Sequence, residues 1–262
     1  LVNACVSQME TDTDWPNDVV LFQPYEAYQS LLYEFAECLS VRTFLKMNDL
    51  KFEIESRTNA EFMSPSGRVP FIRSGNMVIA ELEPIVEFVA KKGYRLTDHM
   101  DEPQIADMTA HMALVRNVLW NAEIYICWNR EPTIREVSKP RYGSVYQWPL
   151  NGILPWIKHR ACHAHLKTFG WYKKSLNRVL EDVNGVCKIL SLKLGDKDYF
   201  FSSDTNRLAP TELDAFVFGH LYTILTTQLP DIDLAAIVKR YSNLIEFCQR
   251  IEKTFYMNSV RK

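Results

Sequence analysis

The stretch RVPFIRSGNMVIAELEPIVE (68–87) limits what this chain can fold into more than any other. Phe71–Ser74 and Met77–Ala80 flank Gly75-Asn76, a two-residue hairpin signal. The segment from Glu81 to Lys92 then repeats Leu82, Ile85, Val86 and Val89 on one helical face, with Gly93 as its stop. Upstream, VVLF (19–22) predicts a strand ended by Gln23-Pro24. Leu31 to Met47 fits a helix, and KFEIESR (51–57) alternates Phe52 and Ile54 against charged residues, as a half-buried strand does. The order is strand, helix, strand, turn, hairpin and helix within residues 19–97.

After Thr97 the strand signals end. Asp101 is a good N-cap, and Pro103 suits a first helical turn. Ile105, Met108, Met112, Val115, Leu119, Ala122 and Ile126 then repeat at alternating spacings of three and four, the mark of a long helix packed along its length. Further helices are predicted over Ser175–Leu194 (closed by Gly195), Thr211–Gln228 and Asn243–Phe255. The expected fold is α/β plus all-α: an acidic segment (1–18), a thioredoxin-like domain (19–97) and a helical domain (98–262).

A chain of 262 residues has room for both parts. A net charge of −2 argues against general nucleic-acid binding. The most apolar tract, AFVFGHLYTILTTQLP (215–230), is interrupted by Gly219 and His220, so it reads as a core helix rather than a membrane span. Six cysteines without a CxxC read as free thiols in a reducing compartment. Residues 1–41 carry seven acids and no Lys or Arg, the opposite of a matrix-targeting sequence. Between Arg135 and Lys174 the balance reverses, with eight Lys or Arg against Glu136 alone.

The N-terminal order around Val69-Pro70, followed by helices, resembles the glutathione transferase superfamily. PTELDAF (210–216) adds to the likeness. Thr211 and Asp214 form a structural capping pair, a hydroxyl at the N-cap and a carboxylate three residues on. NAEFMSPSGRVPFI, RYGSVYQWPLN and PTELDAFVFGHLYTILTTQL more closely resemble the metaxin family, and the likeness runs from about Trp15 to Phe255. It implies a GST-like C-terminal helical domain and a peripheral place on the cytosolic face of the mitochondrial outer membrane. It also implies pairing with the other metaxin paralogue in the sorting and assembly machinery for β-barrel proteins. Two alternatives stand beside it: an adaptor linking mitochondria to transport motors, and a glutathione-dependent transferase.

The transferase likeness also implies a glutathione pocket. Val69 would pair its backbone with the tripeptide, ahead of a cis bond to Pro70. The γ-glutamyl carboxylate would sit at the helix start near Glu81. Transferases place Ser after that acid, whereas this chain has Leu82, an expected apolar wall in the pocket. Losing one hydrogen bond to a charged group costs about 1.5–3 kcal/mol, roughly ten- to a hundredfold in affinity. Tyr25 is the one hydroxyl after the first strand that could serve a thiolate, and Cys38 falls too late. The expectation is a degraded pocket with no catalytic residue and no cofactor.

His159, Cys162, His163 and His165 share a predicted helix. Three of them fall on one face, as zinc ligands would, but no fourth lies at helical spacing, so a solvated basic helix is expected instead of a metal site. WPLNGILPWIKHR mixes aromatics with positive charge, and Tyr142, Tyr146, Trp148, Trp156, Lys158 and Arg160 are the candidate partner surface. Their competing reading is a core aromatic linker with a basic rim, to which Trp171 would also belong.

Overall fold

A computed structural model describes residues 14–202, 210–230 and 232–257. Most of the acidic segment, with Cys5, lies outside them. Four strands form one sheet: β1 (Val20–Gln23), β2 (Glu53–Ser56), β3 (Phe71–Ser74) and β4 (Met77–Ala80), in the order β2-β1-β3-β4. β1 runs parallel to β2 and antiparallel to β3, with Leu21 opposite Ile54 on one side and Ile72 on the other. The hairpin from β3 to β4 turns on Gly75 at φ +56°, and the Asp18 carboxylate accepts its N–H at 2.7 Å. β2 is an edge strand, so Ile54, expected to point inward, is exposed.

Two helices pack with the sheet, α1 (Leu32–Met47) and α2 (Leu82–Lys91), beside the single helical turn Ala60–Met63. Leu21 and Ile72 join Leu82, Ile85 and Val89 in the main core. Phe22 and Phe71 stack at 4.8 Å in a second cluster with Val69 and Cys38. α1 is buried nearly all round, which is why its apolar spacing is loose: the sheet takes one face and a helix of the second part takes the other.

Among the described residues, the second part holds helices and no strand. α3 (Glu102–Val115) starts on a reciprocal cap in which Asp101 accepts the Gln104 N–H at 2.8 Å, and Gln104 accepts that of Asp101 at 3.1 Å. It continues through a π-helical turn (Arg116–Trp120) into α4 (Asn121–Asn129). The long helix expected over 105–126 is thus one rod with an extra residue wound into it. Ile105, at the first predicted apolar position, is exposed, whereas 121–128 are buried on every face. Short turns over 131–143 lead to α5 (Leu150–Thr168). Next come α6 (Leu176–Leu194), α7 (Glu212–Thr226), α8 (Asp233–Val238) and α9 (Ser242–Glu252), which ends in a π-helical turn. Ser175 caps α6 and Gly195, at φ +55°, closes it, as their residue types require.

α7 is the centre of the molecule. It lies against α1 so closely that a Cβ on Gly219 would come within 2.1 Å of Ser40 Oγ and 2.6 Å of the Ala36 carbonyl oxygen. No helix among the described residues is long and apolar enough to cross a membrane.

Candidate functional site

A cleft of about 190 Å³ opens where the sheet part meets α3, α4 and α5. Val69, joined to Pro70 by a cis bond, forms one edge with Gly67 and Arg68. Arg116, Trp120 and Ile124 form another, the first two placed there by the π-helical turn. Lys158, Cys162 and His165 of α5 close the third side.

The start of α2 is where the cleft would have to hold an anion. Glu81 stands there at φ +71°, ψ 158°, a backbone conformation costing about 1–3 kcal/mol for a residue with a Cβ. Its carboxylate is taken by Arg68 at 3.1 Å, and the Arg68 guanidinium lies over the Trp120 ring at 5.1 Å. Glu83, in the first turn, binds Arg116 at 2.7 Å, and Arg116 also reaches Glu37 at 3.1 Å. The carboxylates at this helix start are thus paired with arginines, and Glu81 makes no side-chain cap on its amides. Pro84 removes a further amide donor from the first turn. Leu82 does not wall the cleft as expected. Its side chain is fully buried in the main core, because it begins the apolar stripe of α2.

Tyr25 is not the hydroxyl of the cleft. Its ring stacks on Tyr28 at 5.1 Å, away from the lining residues. The tyrosine that does enter is Tyr33, in the first turn of α1, which sequence reasoning missed. Its hydroxyl accepts from Trp128 Nε1 at 3.2 Å and donates to Glu34 Oε1 at 3.3 Å. Burial, with Cys162 and Glu34 adding to it, pushes the Tyr33 hydroxyl well above the usual tyrosine range. Trp128 and Glu34 thus already engage this hydroxyl. Cys162, 4.0 Å from it, is driven up to about 12 by burial, so it is a poor nucleophile.

Beneath the cleft lies a charged cluster. Lys158 Nζ meets Glu61 at 2.6 Å and Glu34 at 3.2 Å, and the Tyr142 hydroxyl donates to the other Glu61 oxygen at 2.9 Å. Burial alone would lower the Lys158 ammonium, but Glu34 and Glu61 outweigh it and hold it above its ordinary range. Burial raises Glu34 against the pull of Lys158, as expected where two carboxylates share one cation. Tyr142 and Lys158 were expected on a partner surface. They are instead internal and tie α5 to the sheet part, and Tyr146 is half-buried with its hydroxyl on the Thr58 carbonyl oxygen at 2.9 Å. Trp171 is buried as well. Trp148, Trp156 and Arg160 are exposed, with Arg160 over the Trp156 ring at 5.0 Å.

The α5 histidines are half-buried rather than solvated. His159 and His163 turn their Nε2 atoms to one acceptor, the Trp128 carbonyl oxygen, at 3.1 and 2.8 Å, and His165 pairs with Asn121 at 2.8 Å. They fasten α5 to both ends of α4, His159 and His163 at its last turn and His165 at its first residue. Elsewhere, the Asp214 carboxylate accepts from Thr211 N and Oγ1, both at 2.7 Å, and from Phe200 N at 2.9 Å, so the cap also anchors the chain at 200.

The sheet order, the cis Val69-Pro70 edge and the helical second part define a glutathione transferase fold. Residues 36–133 match the family described as "Glutathione S-transferase N-terminal domain", and residues 183–251 match "Glutathione S-transferase, C-terminal domain". Glutathione transferase F7 from Populus trichocarpa superposes with a TM-score of 0.55 at 14% identity, covering 92% of this chain and 97% of that one. Within that fold the chain belongs to the metaxin family. It is 48% identical to Metaxin-2 of Homo sapiens over 98% of its own length and 95% of the human protein. It is 40% identical to the Metaxin-2 homolog of Caenorhabditis elegans, over 85% of this chain and 97% of that protein. Metaxin-1 of Mus musculus matches at 28% over 84% of this chain and 70% of the mouse protein.

Proposed function

We propose that the chain is a non-catalytic, membrane-peripheral subunit at the mitochondrial outer membrane. In this reading it pairs with the other metaxin paralogue in the machinery that inserts β-barrel proteins. Support comes from metaxin kinship over nearly the whole chain, joined to a transferase cleft whose charges pair with one another. The second is the observation that carries the non-catalytic reading. Glu34, Glu37, Glu61 and Glu81 are matched by Lys158, Arg116 and Arg68, and the tyrosine in reach donates to a carboxylate.

Calorimetry with glutathione tests the cleft: millimolar or absent binding without thiol-transfer turnover is expected, whereas micromolar binding with turnover overturns the reading. Co-purification from mitochondria, with the bound proteins identified, tests the role. Recovery of a second metaxin together with β-barrel insertion components is expected. Recovery of transport-motor proteins in their place would make the chain an adaptor.

A further inference from the structure

The outward face of α5 takes no part in the cleft or the charged cluster. Leu150, Ile153, Trp156 and Ile157 are all exposed along it, at the three- and four-residue spacings that place them on one stripe. Trp148, on the turn just before the helix, is 85% exposed, and Trp156 is 55% exposed. Large apolar side chains scattered singly on a surface mean little, but five grouped at one helix start are a patch. None of its side chains lines one of the described cavities.

The chain segment that carries the stripe holds one sign of charge. Residues 137–180 contain no Asp or Glu, although the chain holds 32 acids in all. Lys158 and Arg141 turn inward, to Glu61 and to the Glu26 carbonyl oxygen. Arg160 and Lys167 on the same helix, with Lys139 and Lys173 on the segments before and after it, remain exposed. An acidic protein face would meet these cations as well. A layer of anionic headgroups asks only for cations beside aromatic and aliphatic side chains, with tryptophan at the polar boundary.

We propose that the Trp148 turn and the outward face of α5 form a lipid-contact surface. Trp148, Trp156 and their aliphatic neighbours enter the headgroup region of an anionic bilayer, and Arg160, Lys139 and Lys167 meet its charges. The inference deepens the membrane-peripheral reading above, and rests on it for the choice of a bilayer as the anionic surface.

The test uses the purified full chain and protein-free vesicles, one set of neutral phosphatidylcholine and one with about 30% phosphatidylserine. Flotation with the anionic set only, weakened by salt, is expected, together with quenching of tryptophan emission by lipids brominated near the headgroup. A Trp148→Ser, Trp156→Ser variant should bind about tenfold more weakly and lose that quenching. An Arg160→Glu, Lys167→Glu variant, changed only at exposed cations, should also bind more weakly and carries the test if the tryptophan variant fails to fold. Absence of vesicle binding by the wild type, or undiminished binding by folded variants, overturns the proposal. Capture of an acidic protein by this face without lipid binding overturns it too. Because the vesicles hold no protein, a negative result removes the lipid contact alone, and co-purification still decides the pairing role.

Discussion

At the scale of single residues, two buried acids make the stability depend on the partners they keep. Asp214 supplies acceptors for three donors at the start of α7. Asp214→Ala strands the Thr211 and Phe200 amides, and a loss of about 2–4 kcal/mol in chemical denaturation is expected. Burial pushes this carboxyl from its ordinary 3.8 up to about 6, against the hydrogen bonds that lower it. A carboxyl raised on folding contributes stability that is fully present below pH 4 and is lost as pH rises through 6. At about 1.4 kcal/mol per pH unit, the wild type should lose on the order of 2–3 kcal/mol relative to Asp214→Asn across that window. Denaturation of both proteins at several pH values measures it. The second acid is Glu123, fully buried against His220 Nδ1 at 2.8 Å. Burial pushes Glu123 up and the imidazole pulls it back. His220→Leu leaves the acid without that partner, at an expected cost of about 3–5 kcal/mol, and adding Glu123→Leu should recover most of it. A double-mutant cycle in urea gives the coupling.

At the scale of elements, the contact between α1 and α7 joins the two halves of the molecule, and it depends on the missing side chain at Gly219. The added methyl group of Gly219→Ala would meet the α1 backbone at 2.6 and 2.8 Å, and backbone cannot turn aside as a flexible side chain can. The helices must separate, at an expected cost of about 1–3 kcal/mol or more. A lowered thermal midpoint with unchanged far-ultraviolet circular dichroism would show that the helices persist while their packing loosens. Gly185, in the middle of α6, has open space around its Cβ position. Gly185→Ala should therefore be neutral or stabilising by up to about 1 kcal/mol, which makes it the matched control.

At the scale of the whole molecule, the charged cluster at Lys158 acts as a clamp. Lys158 comes from the helical part, while Glu34 and Glu61 belong to the sheet part. Lys158→Met leaves two carboxylates facing each other below the cleft, and an expected loss of about 3–5 kcal/mol follows. For a chain of this size that lowers the melting temperature by roughly 6–20 °C. Scanning calorimetry should show the lower midpoint, and hydrogen exchange should rise first at α1 and α5 if the clamp holds the parts together.

How much of this was legible in the sequence follows from the range of the interactions involved. Alternation, caps and glycine stops are local, so the strands, the Gly75-Asn76 hairpin, Ser175, Gly195 and the Thr211–Asp214 pair could be read directly. The family likeness was legible too, because whole segments carry it. The site was not legible in the same way. Val69 was singled out because it belongs to a local Val-Pro motif, and it lines the cleft, but Tyr33 was missed because only the approach of Trp128 and Cys162 turns it into a cleft residue. Lys158 and Trp156 lie two residues apart on one helix, with nothing local to separate a buried clamp from an exposed ring. The sequence by itself determined the strands, the longer helices and the family they belong to. Only the tertiary structure decided which charges are spent inside and which side chains remain outside, because those fates depend on partners far away along the chain.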